Sequence, residues 1–304
     1  MFNFLKKSSF QVPQGGCLKS PVDKRDVLLS EIYPLPVRIA PEMPPPFDLT
    51  ILNQGQTPHC VGYSSAAVKQ EKELRERNRL IFDGDWIYSE CKKIDDYSGQ
   101  GTYLRIAMKV LQKIGAKPKD GLESEAIKYR IGGYAKVDDL SFEGLKKAIY
   151  VNGILLAGFI GTNQGWQTAY IKPPKDGEAI WGHAVALIGY NKDYIIGQNS
   201  WGNWGDKGLF YVPKDYMSFE AWAILTDLPS QFLPLGIEGF VAQEYVRTNQ
   251  YLIGQEVYPY CNLNLRKEPQ GERIITLTKG QKLFVIGEPI KSGNYNWIKV
   301  RVCQ

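Results

Sequence analysis

The sequence predicts an α+β protein followed by a small all-β domain, and three observations carry that expectation. Residues 60–80 and 102–114 repeat their apolar positions at helical spacing. Residues 154–160 (ILLAGFI) read as a buried strand, and 183–190 with 194–199 read as two further strands around the turn Asn191-Lys192-Asp193. From about Tyr251 the chain changes character. Short strand-like segments (LNLRKEP, IITL, KLFVIGE, WIKVRV) are separated by Gly271, Gly280, Gly287 and Gly293, the punctuation of a small β-barrel.

Residues 1–45 are polar and proline-rich, run into Pro-Glu-Met-Pro-Pro-Pro, and show no periodicity. They are expected either as an extended arm lying on the body or without order. The body begins near Phe47. In the helix opening at Cys60, the residues Cys60, Tyr63, Ala67 and Leu74 form one stripe, and the mixed charges from Lys69 to Arg79 are expected on a solvated face. Gly115 suits the C-terminal cap of the 102–114 helix, and an Asp-Asp-Leu-Ser start opens a short helix over Ser141 to Tyr150. A hairpin centred on Asn191 pairs residues whose numbers sum to 382, which sets His183 directly opposite Asn199 on one face. A two-residue loop would shift that register and lose the pairing. Residues 228–239 (LPSQFLPLGIEG) read as a linker. The expected division is an arm over 1–45, a main domain over 46–228, a linker over 229–240 and a β-barrel domain over 241–304.

A length of 304 residues bounds the chain to one large or two modest domains. The net charge of +5 is small and dispersed, which argues against nucleic acid as a partner. No stretch approaches the roughly 18 apolar residues that span a membrane, and the N-terminus has a basic pair with no apolar run behind it, a poor secretory signal. Five cysteines without CxxC spacing, and only His59 and His183, argue against a disulfide framework, a zinc site or another bound metal. No cofactor is expected.

The most informative stretch is Gln-Gly-Gln-Thr-Pro-His-Cys-Val-Gly-Tyr at 54–63, in which a glutamine precedes a helix-opening cysteine by six residues. Far downstream stand Gly-His-Ala-Val at 182–185 and Gln-Asn-Ser-Trp-Gly at 198–202. A thiol, an imidazole and an asparagine in that order, with a glutamine upstream, are the parts of a cysteine-nucleophile acyl-transfer site. Cys60 in a first helical turn has its thiolate favoured by unpaired backbone N–H groups and the helix dipole. His183 is the candidate base and later acid, because the side chain of His59, adjacent to Cys60, is poorly placed to face it. Asn199 would fix the imidazole tautomer. The Gln54 amide and the Cys60 backbone N–H can supply donors to a developing oxyanion.

In these motifs the chain resembles the papain-like cysteine peptidases over about 47–227. The resemblance implies a two-lobed papain-like fold, helical to about residue 115 and then antiparallel and barrel-like, with a cleft between the lobes and thiol-dependent hydrolysis of peptide or protein substrates through a thioester. It implies further that Trp201 covers the His183–Asn199 hydrogen bond, and that Gly101, with Gly99 as the other option, pairs with substrate backbone. Gly182, the residue before the histidine, is grouped with them as substrate-binding. Departures are Val61 after the nucleophile where tryptophan is frequent, Thr57 where a cysteine often forms a disulfide, Gly182 in place of an acid or amide, and a shortened NSWGNWG. They imply a divergent bacterial or phage-type member. The first 45 residues are short for an inhibitory pro-segment and lack its helical signature, yet an arm crossing the cleft is an open expectation. The C-terminal segment resembles a bacterial SH3-type domain. The alternative reading is a fold-retaining binding or structural subunit of a virion or cell-envelope assembly, whose C-terminal domain binds cell wall or protein. Location is undetermined, with a virion or envelope setting favoured over the cytoplasm.

Overall fold

A single antiparallel sheet organises the first compact unit, Met1–Asp227, and a second unit is formed by Leu228–Gln304. The computed structural model describes residues 15–33, 35–46, 49–75, 78–225, 238–247, 255–277 and 282–302. Most of the expected linker, the first 14 residues of the arm and Cys303 fall outside them. The elements of the first unit are β1 (Cys17–Leu18), α1 (Leu29–Ile32), α2 (Cys60–Arg75), α3 (Gly84–Lys92), β2 (Thr102–Tyr103), α4 (Leu104–Lys113), β3 (Gly133–Lys136), α5 (Phe142–Asn152), β4 (Leu155–Thr162), β5 (Ile180–Tyr190), β6 (Tyr194–Gln198), β7 (Leu209–Pro213) and β8 (Glu220–Leu225). The sheet runs β3-β8-β4-β5-β6-β7.

Side chains alternate across this sheet with a period of two, so each strand feeds two cores. Leu156, Ala184, Ala186, Ile188, Trp222 and Ile224 pack with α2, α3 and α4, whereas Leu155, Ala157, Phe159, Val185, Leu187, Ala221 and Ala223 pack with α5 and Leu29 of α1. Helix α5 starts at Ser141, whose hydroxyl accepts from Gly144 N at 3.1 Å, and stops at Gly153 with φ +86°. Gly115, at φ +103°, ends α4 by donating to the Val110 carbonyl at 3.0 Å.

Two local expectations are corrected. The first half of the run Lys69–Arg79 is not a solvated helix face: Lys69, Glu71, Lys72 and Glu73 are buried in the helix Cys60–Arg75. Helix α2 is the central helix, packed against α3, α4, β4 and β5, so its charges are met inside the protein. Lys69 Nζ lies 2.6 Å from Glu73 Oε1, and Lys72 Nζ donates to the Asn152 carbonyl at 2.7 Å. The second correction concerns the hairpin. Tyr190 pairs with Ile195 and Gly189 with Ile196, so Lys192-Asp193 is a two-residue loop and the number sum is 385. A bulge between Leu187 and Gly189 then changes the sum to 384, as in Ala186↔Gln198. Residue His183 is therefore diagonal to Asn199 rather than directly opposite it.

The arm, where described, lies on the body. Cys17–Leu18 pair in parallel with Thr102–Tyr103, Leu28 bridges to Lys136, and Met43 bridges to Tyr190. The second unit is all-β apart from one 3₁₀ turn, Gln243–Tyr245, among its described residues. Its strands β9 (Glu238–Ala242), β10 (Val246–Arg247), β11 (Glu256–Pro259), β12 (Leu263–Arg266), β13 (Arg273–Leu277), β14 (Leu283–Val285), β15 (Ile290–Ser292) and β16 (Tyr295–Val302) pair antiparallel around a core of Val241, Val257, Leu265, Leu283, Ile298 and Val300. Among the described residues no helix is long and apolar enough to cross a membrane.

Candidate active site

Cys60 is the first residue of α2, and its sulfur is buried against backbone N–H groups of Ala184, Gly16, Val61 and Cys60 itself. Each of these donors favours the thiolate, but desolvation by burial is the larger effect and pushes the thiol up to about 11. One helical turn on, Ser64 Oγ donates to the Ala184 carbonyl at 2.7 Å and pins α2 to β5. The sulfur thus lies beside the residue that follows His183.

His183 is fully buried, with Nε2 2.8 Å from Asn199 Oδ1. The amide orientation is fixed by Ser200, whose backbone N–H donates to the same Oδ1 at 2.8 Å. Nε2 therefore carries the proton, and Nδ1 is a buried acceptor with no hydrogen-bond partner. Burial lowers the imidazole to about 4 despite the Asn199 bond, so both the thiol and the ring are neutral in this state. Trp201 tilts over the ring at 4.6 Å between centroids, and Trp166 stands perpendicular to it at 5.4 Å.

Gln54 reaches the site because residues 52–54 run antiparallel to 200–202: Gln54 N donates to Ser200 O at 2.8 Å and Gly202 N to Leu52 O at 3.1 Å. Its Oε1 accepts from Ser200 Oγ at 2.6 Å, and its Nε2 donates to Thr57 O at 2.7 Å. One amide N–H of Nε2 is left beyond that bond. His59 points elsewhere, its Nδ1 2.7 Å from Asp85 Oδ1 and its ring stacked on Tyr88 at 3.9 Å.

The arm occupies the surface that joins these groups. Gly16 O accepts from Thr102 N at 2.9 Å, and a Cβ placed on Gly16 would meet the Pro58 carbonyl oxygen at 1.8 Å. A Cβ on Gly15 would lie 2.5 Å from Gly182 O, and one on Gly182 would lie 2.0 Å from the Cys17 carbonyl oxygen. Further along, Ser20 N donates to Glu220 Oε2 at 2.8 Å, and the buried Arg105 guanidinium donates to both Pro21 O and Asp26 Oδ2 at 2.6 Å. Cys17 is buried, and desolvation together with the neighbouring Cys60 and Glu220 pushes its thiol well up.

Of the residues singled out in the sequence, Gln54, Cys60, His183, Asn199, Gly182 and Trp201 converge here. Gly101 faces the arm, where a Cβ would meet Gly16 O at 2.6 Å, but its own N–H is taken by Tyr88 Oη at 3.0 Å and its carbonyl by Lys92 Nζ at 3.1 Å. Gly99 likewise gives its carbonyl to Lys92 Nζ at 3.1 Å. The backbone donor that the arm uses is that of Thr102, which sequence reasoning missed. It also missed Gly15, Gly16 and Cys17, for which the Gly-Gly pair in a proline-rich arm was the available signal, and Ser200 as the holder of Gln54, which no local pattern marks.

Residues 85–223 match the family model of the papain family cysteine proteases, a span that includes His183 and Asn199 and starts beyond Gln54 and Cys60. No curated protein sequence matches the chain. Among solved structures it is similar to xylellain, a cysteine protease from Xylella fastidiosa, with a TM-score of 0.62 and 24% identity over 70% of this chain and 96% of that one. It is similar to proCathepsin B S9 from Trypanosoma congolense (TM-score 0.52, 14% identity, 70% of this chain and 86% of that one). A third is the digestive procathepsin L 3 of the Tenebrio molitor larval midgut (TM-score 0.53, 18% identity, 66% and 73%). At these identities the structural likeness speaks to the fold. Residues 85–223 thus match the papain family cysteine protease model, within an α+β unit of papain-like fold.

Proposed function

We propose that the chain is a cysteine endopeptidase that hydrolyses peptide bonds through Cys60, His183 and Asn199, and that residues 15–21 hold it latent. The observation that carries the reading is the imidazole of His183, fixed through Nε2–H to Asn199 with Nδ1 unpartnered, beside a residue whose N–H reaches the Cys60 sulfur. With the arm displaced, Nδ1 takes the thiol proton and the thiolate attacks the substrate carbonyl carbon, forming a C–S bond. The carbonyl oxygen becomes an anion, met by the spare Gln54 N–H and the Cys60 backbone N–H. Nδ1–H then protonates the leaving amine as the C–N bond breaks. Water attacks the thioester, giving a proton back to Nδ1, and Cys60 departs with that proton as the thiol.

Latency follows from where the arm sits. A segment bonded to Thr102, packed on Gly182 and donating to the Cys60 sulfur fills the ground that a peptide would need. It also excludes water, which raises the cost of the thiolate–imidazolium pair. The reading is tested with fluorogenic peptides and a thiol-reactive epoxide on Gly16→Ala, the variant whose arm cannot stay in place. Hydrolysis abolished by the epoxide and by Cys60→Ala, with label found on Cys60 by mass spectrometry, supports it. A Gly16→Ala protein as inert as its Cys60→Ala counterpart on varied peptides and cell-wall fragments rejects it.

For the second unit we propose an SH3-type fold that binds cell wall or protein in a virion or envelope setting. The supporting observation is an aromatic group in which Tyr245 lies 6.0 Å from Tyr260 and 6.1 Å from Tyr295, with Tyr260 and Tyr295 exposed. Sedimentation of the full chain with purified peptidoglycan, against Tyr260→Ala/Tyr295→Ala, tests it; equal sedimentation of the two rejects that role for the tyrosines.

A further inference from the structure

The loop between α3 and β2 (residues 93–101) has neither regular secondary structure nor a disulfide, yet it ends at Thr102, the backbone donor that the arm's Gly16 carbonyl uses. What gathers it is one ammonium group. Lys92 Nζ donates to Asp95 Oδ2 at 2.8 Å and to the carbonyls of Tyr97, Gly99 and Gly101 at 2.6, 3.1 and 3.1 Å. The Tyr97 ring adds its face at 5.0 Å. Asp95 is itself buried, and its other oxygen accepts from Tyr97 N at 3.1 Å. Three main-chain carbonyls and a carboxylate facing one another repel unless a cation sits between them. The lysine is that cation, supplied by the chain itself.

We propose that Lys92 is a positioning residue for substrate: it holds the loop so that Thr102 N–H stands at the cleft edge as the donor to an extended peptide. The peptide substrate rests on the proposed hydrolase function, whereas the loop geometry is independent of it. Gly101 lies between the lysine and Thr102, with its carbonyl on Nζ, its N–H on Tyr88 Oη and φ at +92°, so the direction of the next peptide plane is determined. Without the cation the carbonyls of 97, 99 and 101 separate, that plane turns, and Thr102 N–H leaves its bearing. The side chain is 24% exposed at the end of α3, so its removal leaves the cores intact.

The test has two arms. In the full chain, Lys92→Met is compared with wild type by hydrogen exchange at the Thr102 amide, which the arm's Gly16 O protects. Exchange faster by about tenfold, the loss of roughly one hydrogen bond, is expected, with the amides of α2 and β5 unchanged. In the Gly16→Ala background, Lys92→Met raises KM for an extended peptide about tenfold while kcat and hydrolysis of a small activated ester change less than about twofold. Potassium or n-butylammonium restores KM in Lys92→Ala by filling the ring of oxygens. Unchanged exchange at Thr102 overturns the inference, as does equal loss on ester and peptide, which marks general damage. A Gly16→Ala protein that cleaves nothing sinks the hydrolase reading instead, and the exchange experiment still decides on Lys92.

Discussion

His183 and Asn199 share a face of the sheet because β5 carries one extra residue. At the turn, Tyr190 stands opposite Ile195; continued unbroken, that register would set Asn199 against Ala186, whose side chain points to the helical side. The bulge between Leu187 and Gly189 moves the pairing by one, so Asn199 comes against Val185, on the face that His183 occupies. Tyr190 records the same flip, packing in the core opposite to that of Ile188. The 2.8 Å contact of Nε2 with Oδ1 depends on that single residue.

Asn199→Ala removes the acceptor of the imidazole N–H and leaves a buried donor alone. In the Gly16→Ala background kcat/KM falls by about 10- to 100-fold, with KM within about twofold. Steady-state kinetics on a fluorogenic peptide give the answer, and an unaltered kcat would remove Asn199 from the mechanism.

Gly16→Ala places a methyl group where the Pro58 carbonyl stands and so expels the arm. The full chain, with its Cys60 thiol pushed up to about 11, has roughly one sulfur in ten thousand ionised at pH 7. Iodoacetamide labelling of wild type should follow an apparent pKa of about 11. The variant should label at least about tenfold faster at pH 7.5, with a pKa below about 8.5, since water and an imidazolium then favour the thiolate. Superimposable pH profiles would show that the arm does not govern the thiol.

His183 is held neutral, down to about 4 from 6.5, chiefly by burial. Between those values the unfolded chain binds the proton and the folded one does not, so stability present above pH 6.5 is lost as pH falls through 4. The loss is on the order of 3 kcal/mol. Urea denaturation at pH 7 and 4.5 measures it. His183→Gln should flatten the difference, and an equal slope in the variant would assign the acid loss to other groups.

Lys69→Ala leaves the Glu73 carboxylate, 6% exposed, without its ammonium. Breaking a buried pair this way costs about 3–5 kcal/mol. The double change Lys69→Met/Glu73→Leu should recover most of it, because two apolar side chains need no desolvation. Chemical denaturation of the three proteins reads the difference, and an additive double variant would contradict it.

Much of the fold was legible along the chain, and so were the residue types that the candidate site gathers. Apolar spacing marked α2, α4 and β5, an Asp-Asp-Leu-Ser start marked α5, and an apolar run and a turn marked β4 and β6, each to within a few residues, since such signals depend only on neighbours in sequence. The charged half of α2 was misread because the same alternation of Lys and Glu suits a solvated face or a buried one. Burial is decided by what packs against the helix, here β4 and β5 from residues beyond 150. The bulge was invisible as well, for Ile188 and Gly189 look like any strand residues.

The sequence by itself determined the chemistry available: a thiol at a helix start, one histidine and one asparagine on strands, and a glutamine six residues upstream. Those assignments rest on residue type and local spacing, which no packing can change. Only the tertiary structure decided that Gly15–Ser20 lie across the same groups, that Thr102 rather than Gly101 offers its N–H there, and that a lysine ammonium gathers the loop behind it. Each joins segments whose meeting depends on the whole sheet and its helices, a matter of long-range packing that no local pattern of residues encodes.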